Sequence, residues 1–363
     1  MRNVAESGPK LVCGAESWFR HRFIVPNLDG PSTGGTVFNA QLLLALSEVG
    51  LNARRLDCDS LVQTLGESLP CCVWVDSLYL DHLRAIRRMS NGRHAVGLLA
   101  HYLPSLVREG ALVERARLSL GELYAIDASD AFIVTSLFMR QTLERLAESP
   151  RRFLLIEPGC FSRRCTHVAR SRSKLKAILV ANLLPGKGIE SFLRELADYV
   201  RVHDHFELRI VGSKSLDLPY ALACENLVKD HPKLSQCVVL CGARHPSDVV
   251  KEMSLSNLVV SASNMETYGM ALAEAKTIGV PILAHTGGNV GAHVDARSGG
   301  ELVRTHGELA RAFLELSRNP SVLKARVRAA RQLASPSRSW SDAARDFVAQ
   351  APLLAEVMLS QVQ

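Results

Sequence analysis

Short apolar runs rich in Val, Ile and Leu alternate along this chain with longer segments in which apolar residues return every three or four positions. An uninterrupted apolar run marks a strand covered on both faces, and the helical recurrence marks the element that covers it. The runs predict strands at 23–27, 54–58, 72–76, 94–100, 131–135 and 153–157. A second series is predicted at 177–181, 207–211, 238–241, 258–261, 281–284 and 301–303. Six strands and then six, with helical segments between them, predict an α/β protein of two Rossmann-like parallel sheets. The polar, basic stretch "CFSRRCTHVARSRSK" behind the turn "EPG" interrupts the series, so domains are expected at 1–168 and 169–335. Residues 336–363 read as a helical segment without a strand, expected to pack back on the first domain. Ligands of such sheets bind outside the C-terminal strand ends, which here means a cleft between the halves.

Composition narrows the class. The 363 residues suit two cores, and 47% hydrophobic with 22% charged residues is globular rather than disordered. No run approaches the roughly 18 apolar residues of a membrane span, and "MRNVAESGPKLVCGAESWF" lacks the apolar core of a signal peptide. A cytoplasmic location is expected. Nine cysteines, with no Cys-x-x-Cys pair and no clustered histidines, read as free thiols in a reducing compartment and argue against zinc. A formal charge of +7 suits an anionic partner: a nucleotide, a phosphorylated substrate, or an acidic membrane touched peripherally. With 6% aromatics and no reading motif, no nucleic-acid partner is expected. The basic stretches "LRAIRRMSNGR" from Leu83 and "RSRSKLK" from Arg170 read as solvated faces.

Near the start, "DGPSTGGTVFNAQLLLALSEVG" looks like a P-loop without its lysine, since Thr36 stands where that lysine would be. A helix is expected behind the glycine loop, with Phe38, Leu42, Leu46 and Val49 as its buried stripe and Gly50 at its end. In the second half, "SNLVVSASNMETYGMALAEAKTIGVPILAHTGGNVGAHV" predicts a strand, a polar loop and a helix from about Tyr268 that stops at Gly279. Glu266 falls in the loop and Glu274 just over one turn into the helix, so the two can reach different parts of one ligand. The amides around Tyr268, Gly269 and Met270 form a helix N-terminus suited to phosphate, and a glycine permits close approach.

The spacing in "ETYGMALAE", followed by "EAKTIGVPILAHTGGNVGAHV", closely resembles the retaining glycosyltransferases of family 4, which have the GT-B fold of two facing Rossmann-like domains. The resemblance runs in order through "GGTVFNAQLLLALSEVG", "AFIVTSLFMRQTL", "IEPGCF", "VANLLPGKGIESFLREL", "LRIVGS" and "CGARHPSDVVKEMSLSNLVVSAS". It implies transfer of a hexose from a nucleoside-diphosphate sugar, a UDP- or GDP-hexose, to an unknown hydroxyl acceptor, with no metal and no further cofactor. Carried over by position, Glu274 binds the ribose hydroxyls. Glu266 lies at the transferred sugar with the amides of Thr267, Tyr268, Gly269 and Met270. Lys187 in "PGKGI" faces the diphosphate, and Gly34 and Gly35 face it from across the cleft. Gly212 and Ser213, with Gly242 to Arg244 in "CGAR", line the nucleotide pocket.

One departure stands out. Relatives often carry arginine five residues before the lysine, where this chain has Asn182, an amide that brings no charge. Arg244 and Lys214 are the candidates to supply it. His101, at the end of "HAVGLLAH", matches a family histidine near the reacting sugar carbon, or it is an ordinary strand-end histidine. Asp76 in "WVDSL" has the same two readings. The "DCD" at Asp57 to Asp59 lacks a companion metal ligand and is rejected as a metal site. A nucleotide-sugar epimerase, a phosphorylase-like enzyme on the same fold and a non-catalytic sugar- or nucleotide-binding partner subunit remain the alternatives.

Overall fold

The computed structural model describes residues 20–27, 33–56, 65–66, 70–110, 112–161 and 174–354. The first sheet has strands β1 (Arg20–Ile24), β2 (Ala53–Leu56), β3 (Cys71–Asp76), β4 (Ala95–Ala100), β5 (Ala131–Val134) and β6 (Arg152–Leu155), in spatial order β2-β1-β3-β4-β5-β6. The second has β7 (Leu175–Val180), β8 (Phe206–Val211), β9 (Val238–Gly242), β10 (Leu258–Ser261), β11 (Ile282–His285) and β12 (Glu301–Val303), in order β12-β11-β10-β7-β8-β9. Every neighbouring pair is parallel. All twelve predicted strands are present, with ends shifted by three residues or fewer. The largest shift is at β1, which stops at Ile24 because Pro26 has no N–H for the ladder.

β3 and β4 are buried along their whole length, as strands covered on both faces must be. Gly97 on β4 makes room for Trp74 on β3, since a Cβ there would lie 2.3 Å from the indole. The helix Trp340–Gln350 packs back on this first sheet, as expected, and buries Ala343, Ala344 and Phe347 among Phe23, Phe38 and Trp74. Its Gln350 satisfies an edge strand: the side chain accepts from the Leu155 N–H at 2.9 Å and donates to the Leu155 carbonyl at 3.0 Å. The Gly159 turn fits against the same segment, where a Cβ would be 2.5 Å from the Trp340 nitrogen.

Two expectations about the opening stretch are corrected. The helix begins at Gly34, so Gly34 and Gly35 occupy its first turn rather than a loop. Thr36 closes a capping box, donating its N–H to Thr33 Oγ1 at 3.2 Å and accepting from the Thr33 N–H at 2.8 Å. Val49 is 45% exposed, because the helix ends at Glu48 and the buried stripe is Phe38, Leu42, Ala45 and Leu46.

The helix Leu80–Ser90 does turn Arg84 and Arg88 to solvent while burying Leu83 and Ile86, and Arg87 pairs with Asp130 at 2.5 and 3.0 Å. Asp57 to Asp59, most of the stretch after Cys160 and the first residues of the Arg170 run lie outside the described residues. Cys71, Cys72, Cys224 and Cys237 are buried free thiols. No helix among the described residues is long and apolar enough to cross a membrane.

Candidate functional site

Each sheet has one place where the chain leaves neighbouring strands in opposite directions: between β1 and β3 in the first, and between β7 and β10 in the second. Loops part at such switch points and open a crevice. Two adjoining cavities of about 240 and 460 Å³ lie there. Both are lined by Thr33 and Gly34 from the first half and by Asn182, Lys187, Glu266, Gly269 and Met270 from the second. Of the residues expected in the site, Ser213, Lys214 and Gly242 line neither cavity.

On the first side, the helix N-terminus at Gly34 faces the second half closely enough that a Cβ there would be 3.8 Å from Met270 Sδ. Gly35 lies against His101, with a Cβ position 3.1 Å from the imidazole Cδ2. The histidine follows β4 and belongs to a buried relay that the sequence did not reveal. Its Nε2 is 2.8 Å from Asn39 Oδ1, and Asn39 Nδ2 donates to Asp76 Oδ2 at 2.7 Å. The other oxygen of Asp76 accepts from the Leu78 N–H at 2.9 Å. This network assigns the Nε2–H tautomer and leaves Nδ1 unprotonated. Burial lowers the His101 pKa, while Asp76 at 3.6 Å pulls it upward. Asn39 was legible only as a polar residue next to the apolar stripe of its helix.

On the second side, Lys187 Nζ lies 2.7 Å from Glu266 Oε1, so two of the three expected catalytic residues form an ion pair. Ser263 Oγ donates to the same carboxylate oxygen at 2.6 Å. The loop after β10 is held by the one after β11: the Asn289 N–H donates to the Glu266 carbonyl at 2.7 Å, and Asn289 Nδ2 and His293 Nε2 reach the Tyr268 carbonyl at 2.8 and 2.7 Å. Gly269, in the left-handed region at φ 93°, turns the chain into the helix Met270–Ile278. That helix starts two residues later than expected, because the Tyr268 carbonyl is committed to Asn289 and His293. Ser136 Oγ, capping the helix Leu137–Leu146, donates to the Thr267 carbonyl at 2.5 Å and ties the two halves together.

Glu274 lines the smaller cavity and is 8% exposed. Burial pushes its carboxyl up to about 7, with a hydrogen bond from the Phe161 backbone pulling the other way. A carboxyl whose folded pKa lies above its ordinary value of 4.5 costs stability when ionised. That stability is fully present below about pH 4.5 and is lost as the pH rises to about 7. Glu274→Gln removes the cost, so the variant is expected to be more stable than the parent at pH 8, by up to about 3 kcal/mol, and equal to it at about pH 4. Denaturant midpoints at the two pH values test this, and the same offset at both would show that charge is not the cause.

Asn182 and the two cations considered in its stead lie in different surroundings. Asn182 Oδ1 accepts from the Ser213 N–H at 2.8 Å, so these two residues knit the ends of β7 and β8 together. Ser213 Oγ turns to Ser215 Oγ at 2.9 Å. Lys214 is spent on Glu225 at 2.5 Å, outside both cavities, which corrects its candidacy. Arg244 lines the smaller cavity, is exposed and makes no ion pair among the described residues. Gly212 is held so close to the strand beside it that a Cβ would be 1.9 Å from the Ala181 carbonyl oxygen. No group of three or more His, Cys, Asp or Glu among the described residues could hold a metal ion.

Residues 168–333 match the family of glycosyl transferases group 1. A D-inositol 3-phosphate glycosyltransferase of Corynebacterium jeikeium (strain K411) is 28% identical over 122 residues, which cover 33% of this chain and 29% of that protein. The match therefore spans less than a third of that curated relative. Sucrose-phosphate synthase from Thermosynechococcus elongatus superposes with a TM-score of 0.73 at 17% identity, over 93% of this chain and 100% of that one. The Anabaena protein HepE, in complex with UDP and glucose, superposes with a TM-score of 0.70 at 14% identity, again over 93% and 100%. At these identities the likeness is one of fold, and the fold is GT-B.

Proposed function

We propose that this glycosyltransferase, whose residues 168–333 match glycosyl transferases group 1, moves a hexose from a nucleoside-diphosphate sugar to a hydroxyl, with retention of configuration and without a metal. The observation that carries the reading is the convergence of Lys187, Glu266 and Glu274 on adjoining cavities between two helix N-termini. Glu274 would take the ribose hydroxyls, each donating to a carboxylate that has few partners in the buried pocket. Lys187 has three N–H donors and spends one on Glu266, which leaves two for diphosphate oxygens. The amides at Gly34 and Met270 add partial positive charge from either side of the cleft. Arg244 would supply the cation that Asn182 does not.

The reaction breaks the bond between the sugar C1 and the phosphate oxygen, and its electron pair leaves with the diphosphate. Lys187 and the helix N-termini stabilise that charge as it develops. The acceptor oxygen bonds to C1 on the same face, and its proton passes to a leaving-phosphate oxygen, so no protein nucleophile is required. His101, neutral at pH 7 and fixed by Asn39, would orient a hydroxyl through Nδ1. UDP, GDP or ADP sugars at about 100 times Kd would raise apparent stability by about 2.7 kcal/mol. A thermal-shift screen of these nucleotides and their sugars, followed by donor hydrolysis with and without a chelator, tests the reading. It fails if none of them binds. Activity lost to the chelator would overturn metal independence, and an epimerised donor would favour an epimerase.

A further inference from the structure

We infer that the acceptor is an amphiphile, whose attacking hydroxyl sits beside an apolar group and has no phosphate or carboxylate near it. This rests on the transfer reading above and names the substrate class of the same site. The larger cavity, about 460 Å³, runs from the Lys187–Glu266 pair to His101. Its walls include Phe38, Leu78, Tyr102, Val107, Leu184 and Met265, drawn from both halves. Leu78 is 53% and Val107 40% exposed, and both line the cavity that holds the polar machinery. Covering them removes apolar surface from water and favours an apolar occupant.

Charge points the same way. The charged residues among the described lining of this cavity are Asp76, Lys187 and Glu266. Asp76 is fully buried and committed to Asn39 and the Leu78 N–H. The one cation, Lys187, is paired with Glu266 at the donor end. Burial lowers the pKa of His101, so it adds no charge at neutral pH. An acceptor phosphate in this cavity would lose its water and find one lysine, Lys187, already paired with Glu266. A sugar or other hydroxyl carrying an alkyl or aryl group meets none of these costs.

A matched pair of probes tests this on the full chain. Octyl glucoside, below its micelle-forming concentration, and glucose 6-phosphate offer similar ring hydroxyls but carry an apolar tail or an anion. Saturation-transfer NMR, with and without UDP, is expected to show binding of octyl glucoside through its alkyl protons and none of glucose 6-phosphate. Leu78→Asp and Leu78→Ala, at an exposed position, should both weaken octyl glucoside, the first about tenfold or more, and leave UDP affinity within about twofold. Glucose 6-phosphate binding as tightly as octyl glucoside, or unchanged octyl glucoside binding in both variants, overturns the inference. If UDP fails to bind while octyl glucoside still binds in a Leu78-dependent way, the donor reading falls and the apolar subsite stands.

Discussion

Lys187→Ala is expected to lower turnover by about 10²–10³-fold, or about 3–4 kcal/mol of transition-state stabilisation, while the protein stays folded. In the proposed reaction the diphosphate would gain charge as the C1–O bond breaks, and within the described cavity lining only Lys187 and Arg244 are lysine or arginine. Stability should change little. The Lys187–Glu266 pair is partly exposed, at 29% and 18%, and such pairs contribute about 0–1 kcal/mol. Glu266 also keeps its hydrogen bond from Ser263 Oγ when the lysine is removed. Steady-state kinetics against a denaturant curve check both parts. A variant with parental kcat would remove Lys187 from the chemistry, and one that loses activity only because it unfolds would make the residue structural.

Gly188→Ala should cost about 3 kcal/mol of stability and disorganise the site as well. Gly188 sits at φ 61°, in the left-handed region, where it caps the helix Ile189–Tyr199. A Cβ there would lie 2.2 Å from the Ala262 carbonyl oxygen and 2.5 Å from His306 Nε2. His306 Nε2 in turn bonds that carbonyl at 2.9 Å. The glycine is therefore where the Lys187 turn meets the segment leading to Ser263 and Glu266, and an alanine has to push the two apart. Gly92 separates the two costs, because it too has a positive φ, 72°, but has open space where its Cβ would be. Gly92→Ala should lose only about 1 kcal/mol, the conformational part. Equal losses in the two variants would show that the contact with Ala262 does not matter.

The order of elements was legible because strands covered on both faces must be apolar throughout, and helices covering them must repeat every 3.6 residues. Those local requirements put all twelve strands within a few residues of their positions. Glu266 and Glu274 were placed on a loop and the helix behind it by local pattern, while their roles and that of Lys187 came from the resemblance to family 4 glycosyltransferases. Local pattern was a poorer guide at ends and partners. Val49 continues the apolar stripe in sequence yet lies beyond the last helical turn, in solvent. Lys214 and Arg244 follow neighbouring strand ends and carry the same charge, but only the fold shows that Glu225 takes the first and leaves the second at the cavity.

The sequence by itself determined the parallel α/β class, the two series of strands and the residue types at the strand ends, because each of these depends on a few neighbouring positions. Tertiary structure alone decided which of those residues meet. The Asp76–Asn39–His101 relay joins residues from three segments, the Ser136–Thr267 hydrogen bond spans 131 positions, and the apolar cavity wall draws on both halves. Such contacts depend on how two sheets face each other, and that relation leaves no period along the chain. The opening glycines show the same division. Their spacing suggested a P-loop, and the fold makes them the first turn of a capped helix, directed across the cleft at Met270.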